Sequence, residues 1–342
     1  MEFKTKILEN NNVYVDDQFI GRINGLKLEL DLKEGSLETD IKSLKKAARQ
    51  TVGPELERRI KMITETGLIE LNDNFKIYWN KFAIAKLVSG KDYLNPNFDL
   101  IVDDILEQTQ KENLKSYIEK WLKNKINTVL KNLIDLKNLK EKNSSVKALA
   151  YQLYENNGVL KREQVFEYLK TLGQTERRVL RDHGVKFGRY HIFLHKLIKP
   201  AAVSLRTLLW KNHHQKYLNL KPPAFGLNFL INKNLTNKNF MLLCGYEKFD
   251  SFFVRIDILE RLFMKIINSD KEIKVIPEML NLLGCDKENF KKLLQKMNYK
   301  ITQKNGDIFF RYFPKKERKK NFIKKGTKES PFEVLKNLSF NQ

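Results

Sequence analysis

Cysteine is almost missing from this chain: of 342 residues, only Cys244 and Cys285 carry thiols. Two thiols exclude a disulfide framework and a four-cysteine zinc site, and such usage points to a reducing cytoplasm. No apolar run approaches the ~18 residues of a membrane span, so no membrane partner is expected. Residues 1–12 also lack the apolar core of a secretion signal. The phosphate-cradling loop Gly-x-x-x-x-Gly-Lys-[Ser/Thr] is absent as well. Its nearest approach, Leu87 to Asp92, has Ala85 at the first glycine position and Asp92 where the magnesium-binding hydroxyl belongs. No Asp-Glu-x-His box appears. No cofactor is therefore expected in this chain, and ATP and Mg would enter only through a motor elsewhere.

The five histidines do not make a metal site in sequence. His191 and His195 are four apart, but a turn and Pro200 make a shared helical face doubtful. His213 and His214 are adjacent, and no cysteine or paired carboxylate accompanies them. Asp182-His183 has no nucleophile beside it, and His183 reads as a cation at a helix C-terminus.

Basic residues are what the chain has in excess. It carries 64 Lys and Arg against 41 Asp and Glu, a net charge of +23 and a pI near 9.7. That balance favours nucleic acid as a partner, although a Lys-rich, AT-biased genome gives a similar composition. The cations concentrate in residues 182–214, where no Asp or Glu occurs from 183 onward. Val185 and Phe187 alternate into a turn at Gly188-Arg189, and Ile192 and Phe193 resume an apolar run, which predicts strand–turn–strand. Pro200 opens a helix with Leu205, Leu208 and Leu209 as its buried stripe and Trp210 at the edge. Lys186, Arg189, Lys196, Lys199 and Arg206 stand between these anchors as candidate phosphate contacts.

Gly-Val-Lys-Phe-Gly-x-x-x-Ile-Phe from Gly184, Leu-Ile-Lys-Pro-Ala from Leu197 and Leu-Arg-x-Leu-Leu-Trp from Leu205 carry a resemblance. Residues 20–26, Trp79 with residues 85–87, and Leu283-Gly284-Cys285 extend it. The chain from about Phe19 to Pro314 resembles the C-terminal accessory region of a proteobacterial family of superfamily 2 DExH ATP-dependent RNA helicases. That family is akin to the mitochondrial RNA-degradosome helicase. None of these landmarks is a catalytic signature. The resemblance implies RNA or single-stranded nucleic acid as partner, together with a helicase motor polypeptide that this chain lacks.

The rest of the chain predicts an α+β, mostly helical fold. Residues 1–100 read as an α+β module, with strands over 13–32, helices over 37–51 and from Pro54 to about Glu65, and a β-meander over 69–84. The first helix is expected to break at Val52-Gly53-Pro54, and Asn95-Pro96 to mark a loop. Residues 101–215 read as a helical module with one long helix over 103–139, then the central hairpin and the Pro-started helix. Residues 216–250 read as a linker with one short helix near 238–243. Residues 251–314 read as a winged-helix-like domain of three helices and a hairpin. Its third helix exposes Lys287, Lys291, Lys292, Gln295 and Lys296, the composition of a recognition helix, though such a domain also serves as a packing spacer. The tail, 315–342, is basic and reads as a disordered arm, with Lys315, Lys316, Arg318, Lys319 and Lys320 as phosphate contacts. The leading expectation is a non-catalytic, RNA-binding accessory region of a helicase; the alternative is a winged-helix DNA-binding regulator.

Overall fold

The computed structural model describes residues 5–15, 17–31, 38–231, 237–266 and 272–312. They form an α+β fold of small antiparallel sheets and helices in two compact units. Of the described residues, those up to 266 together with 281–284 make one unit, and 272–280 with 285–312 make the other.

In the first unit, β1 (Thr5–Ile7), β2 (Asn12–Val15), β3 (Gln18–Asn24) and β4 (Lys27–Leu30) pair in that order. Helix α1 (Glu38–Thr66) packs on β1 and β2 and does not break at Pro54. Ala48, Val52, Leu56, Ile60 and Ile63 form one buried stripe along it, at steps of three and four residues. Pro54 is exposed, so the hydrogen bond it removes lies on the wet face, where water can meet the freed carbonyl. Continuous burial overrides the local break signal.

A second antiparallel sheet follows: β5 (Ile69–Leu71), β6 (Lys76–Trp79), β7 (Phe82–Asp92) and β8 (Asn95–Leu100). Asn80, at φ 52°, makes the β6–β7 hairpin turn. Asn95-Pro96 begins β8 rather than a loop, because an edge strand tolerates a missing N–H. The segment nearest to a phosphate loop lies inside this sheet. Gly90 is in β7, where an added Cβ would come within 1.9 Å of the Asn95 carbonyl oxygen; close backbone approach accounts for that glycine.

Two helices, α2 (Gln108–Val129) and α3 (Lys131–Lys137), replace the one long helix expected. The chain leaves helical dihedrals at buried Leu130 (φ −104°, ψ 22°), and α3 packs on α4 (Ser144–Glu155). Strand β9 (Val159–Lys161), α5 (Phe166–Thr171) and α6 (Gln174–Asp182) lead to β10 (Val185–Phe187), β11 (His191–Leu194) and α7 (Pro200–His213).

Helix α7 is the hub of the unit. Ala202, Leu205 and Leu209 face the main core, while Val203 and Trp210 join a second cluster with Phe240 and Leu243 of α8 (Lys238–Leu243). A helix apolar around most of its circumference must be buried on several sides. Trp210 is accordingly buried rather than at an edge, stacked on Tyr217 with ring centres 5.1 Å apart.

Strands β12 (Phe229–Ile231), β13 (Tyr246–Phe249) and β14 (Phe252–Arg255) form a further sheet, followed by α9 (Ile256–Ile266). Residues 216–250, read from sequence as a linker, thus hold two strands and α8 within the first unit. Strands of three and four residues give little alternation to read. Helix α9, read as the first helix of the winged-helix-like domain, also lies in the first unit.

The second unit contains β15 (Ile273–Lys274), the start of α10 (Pro277–Leu283), α11 (Lys287–Lys296), β16 (Tyr299–Lys304) and β17 (Asp307–Tyr312), with sheet order β15-β17-β16. Asp286 caps α11 by accepting from the Asn289 N–H at 2.7 Å. Phe290, Leu293 and Leu294 are buried, with Phe290 set edge-on to Phe310.

Candidate nucleic-acid interface

The basic strip begins on β10, where alternation buries Val185 and turns Lys186 out. β10 pairs with β11, whose other edge pairs with β9. Being the middle strand, β11 buries all four of its residues, His191 included. His195–Ile198 form a 3-10 turn that exposes Lys196, and exposed Lys199 then precedes Pro200 at the start of α7. No side chain caps that helix start.

A buried carboxylate fixes the β10–β11 turn. Glu260 of α9 accepts from the backbone N–H groups of Arg189, Tyr190 (3.0 Å) and His191 (2.7 Å), and from His191 Nδ1 at 3.0 Å. The other ring nitrogen, Nε2, donates to Glu247 at 3.3 Å, and Lys161 Nζ pairs with the far oxygen of Glu247 at 2.6 Å. Both imidazole nitrogens therefore donate to carboxylates, the arrangement of an imidazolium. Burial works against that charge, but the hydrogen bonds to Glu247 and Glu260 outweigh it and hold the His191 pKa above its ordinary value. Burial likewise opposes the charge on Glu247, yet His191 and Lys161 keep its pKa below the usual carboxylate range. Gly188 is required here by close approach: a Cβ would lie 2.4 Å from the Glu260 carboxyl carbon.

Cations gather around the same turn. Arg162 donates through Nη1 to the Gly188 carbonyl at 2.9 Å. Its pKa is lowered by burial and then by nearby Arg177 and Arg189. Arg181 lies over the Phe187 ring at 5.6 Å. His195 is held below its ordinary pKa by burial and then by Lys199. A dense positive field over a few side chains favours a polyanion.

Of the candidates from sequence, Lys186, Lys196 and Lys199 are exposed and make no ion pair among the described residues. Arg189 sits half-buried in the clasped turn. Arg206 needs correction: it is 0% exposed, its guanidinium bound to carbonyls within the core, and it cannot reach a phosphate. In the second unit, Lys287, Lys292, Gln295 and Lys296 are exposed on α11, opposite Phe290 and Leu293. Lys291 is partly covered and pairs with Glu288 at 2.9 Å. Lys315, Lys316, Arg318, Lys319 and Lys320 lie outside the described residues.

The arginines at 162, 177 and 181 escaped the sequence reading, although Arg177 and Arg181 are four apart, on one face of α6. Glu247 and Glu260 had no local signal, since they lie 56 and 69 residues from the histidine they hold. No described helix is long and apolar enough to cross a membrane. Compared with protein-family models, curated proteins and solved structures, the chain matches none.

Proposed function

We propose that this chain binds single-stranded RNA as a non-catalytic accessory region of an ATP-dependent RNA helicase, guiding the strand to a motor that these 342 residues do not contain. One observation carries the reading. Lys186, Lys196 and Lys199 are exposed without ion-pair partners on a segment whose turn is clasped by Glu260, so three phosphate contacts are held on a rigid support. Preorganised cations lose little conformational freedom on binding. The second unit supplies another basic face on α11, in a helix-on-sheet arrangement that we read as winged-helix-like. The basic tail and cytoplasmic residence belong to the same proposal.

The test is the salt dependence of binding to a single-stranded RNA oligomer. Each phosphate neutralised contributes about −0.7 to the slope of log affinity against log salt. Three contacts imply roughly a twentyfold loss between ~50 and ~200 mM salt. Lys186→Ala with Lys196→Ala is expected to flatten that slope by about one unit or slightly more. The melting temperature should stay within about 2 °C, since exposed charges contribute little to stability. An unchanged slope would show the strip to be a solvated face. Preference for one duplex DNA sequence over single strands would favour a transcriptional regulator built on α11 instead.

A further inference from the structure

A cavity of about 200 Å³ opens beside the start of α7, between Pro200 and the loop 222–227. Its floor is apolar and buried: Ile198, Val203, Cys244 and Tyr246. Burial pushes both the Cys244 thiol and the Tyr246 phenol up to about 12, so the floor carries no charge at neutral pH. The Tyr246 hydroxyl donates to the Leu227 carbonyl at 2.6 Å, which anchors one end of the loop. The rim differs from the floor. Lys199 is exposed there without an ion-pair partner among the described residues, and Phe225 is 56% exposed. Arg255 also lines the cavity, engaged by Asp257 through two hydrogen bonds of 2.7 and 3.1 Å.

An exposed phenylalanine beside a buried, uncharged floor, with Lys199 at the lip and Arg255 and Asp257 paired to each other in the wall, is a combination with a defined chemical complement. It suits a flat, uncharged ring joined to a phosphate. The volume falls below the ~300–1,000 Å³ of sites that enclose a whole small-molecule ligand, so it suits a fragment rather than a dinucleotide. Lys199 belongs both to this rim and to the basic strip, so a strand lying along Lys186 and Lys196 would reach the cavity without a break.

We infer that this cavity takes one unpaired base of the bound strand, stacked on Phe225, with the adjoining phosphate on Lys199. The inference rests on the proposed RNA binding and names the place where a base, rather than the backbone, is held. Base–aromatic stacking is tolerant of sequence because every base has a π-face, so the site adds affinity without selecting a motif.

The test compares a single-stranded oligouridylate with an oligomer of equal length whose central sugars lack bases. Wild-type protein is expected to bind the base-bearing strand about tenfold more tightly, within the range alanine replacement gives for one stacked base. Phe225→Ala should lose that tenfold and bind both oligomers alike, with an unchanged salt slope and melting temperature. Phe225→Trp should restore the difference. If Phe225→Ala keeps the wild-type discrimination, the base is not held here and the inference fails, while salt-dependent binding leaves the wider reading standing. If the wild-type protein binds neither oligomer, both fail together. If Phe225→Ala melts more than about 5 °C lower and Phe225→Trp restores stability without discrimination, the ring is a packing element and the inference is overturned.

Discussion

Glu260→Ala is expected to lower the melting temperature of the first unit by about 10 °C. The side chain is buried and accepts four hydrogen bonds, three from consecutive backbone N–H groups of the β10–β11 turn and one from His191. Truncation leaves those donors without an acceptor and strands a buried imidazolium beside Glu247 alone. Breaking a buried ionic contact by removing one partner costs about 3–5 kcal/mol, and each kcal/mol shifts the transition of a unit this size by about 2–4 °C. Glu260→Gln tests charge separately from shape. Its amide places N–H donors where one carboxylate oxygen had accepted, so recovery should be only partial. A Glu260→Ala protein melting within about 2 °C of wild type would mean that the turn holds itself and the clasp is incidental.

The same network gives stability a pH dependence whose sign can be worked out. His191 has a raised pKa in the fold, so its contribution is complete below its ordinary value of 6.5 and lost as pH rises through the raised one. Glu247 has a lowered pKa, so its contribution is complete above its ordinary 4.5 and lost as pH falls through the lowered one. Stability from this site should therefore be greatest between 4.5 and 6.5 and decline on the alkaline side. Urea midpoints measured from about pH 5.5 to 9 read that decline. His191→Gln is expected to be less stable at pH 5.5 and to lose the alkaline slope; an equal slope in both proteins would exclude His191 as its origin.

How much of this was legible in the sequence follows from the range of each interaction. The β10–β11 hairpin and the Pro200 start of α7 depend on close neighbours in the chain, and the sequence reading placed both. The uninterrupted α1 was missed because Pro54 is a local break signal, whereas the stripe from Ala48 to Ile63 stabilises the helix through contacts with the sheet. In 216–250 the short helix near 238–243 is present as α8, but the two strands were missed because β12 pairs with β14 rather than with a sequence neighbour, and short strands carry little pattern. The basic strip was legible as charge, since cations on exposed positions need no partners to be noticed. The clasp beneath it was not, because nothing within ten residues of His191 foretells Glu247 or Glu260.

Arg206 shows the limit of reading charge as surface, and its replacement is the second large effect expected. The side chain is wholly buried on α7, with Nη1 donating to the Asn157 carbonyl at 2.8 Å and Nη2 to those of Leu197 and Leu243 at 2.7 and 2.6 Å. Its Nε has no hydrogen-bond partner among the described residues. Burial lowers its pKa, the neighbouring Tyr93 phenol is pushed well up by burial and stays neutral, and Cys244 is likewise protonated. A guanidinium nevertheless remains charged, and three carbonyl dipoles face that charge. They tie α7 to the turn after α4, to the 3-10 turn before α7 and to the end of α8. Arg206→Ala removes those ties and opens a cavity at the hub, and a loss of about 4–5 kcal/mol is expected. Arg206→Met keeps most of the volume and leaves only the unmet carbonyls, for a smaller loss of about 2–3 kcal/mol. Melting curves read the difference between the two variants, which isolates the cavity. RNA affinity measured well below the transition of Arg206→Met should match wild type, with the same salt slope. A variant of full stability whose slope flattened by about 0.7 would place this guanidinium on a phosphate and overturn its assignment to the core.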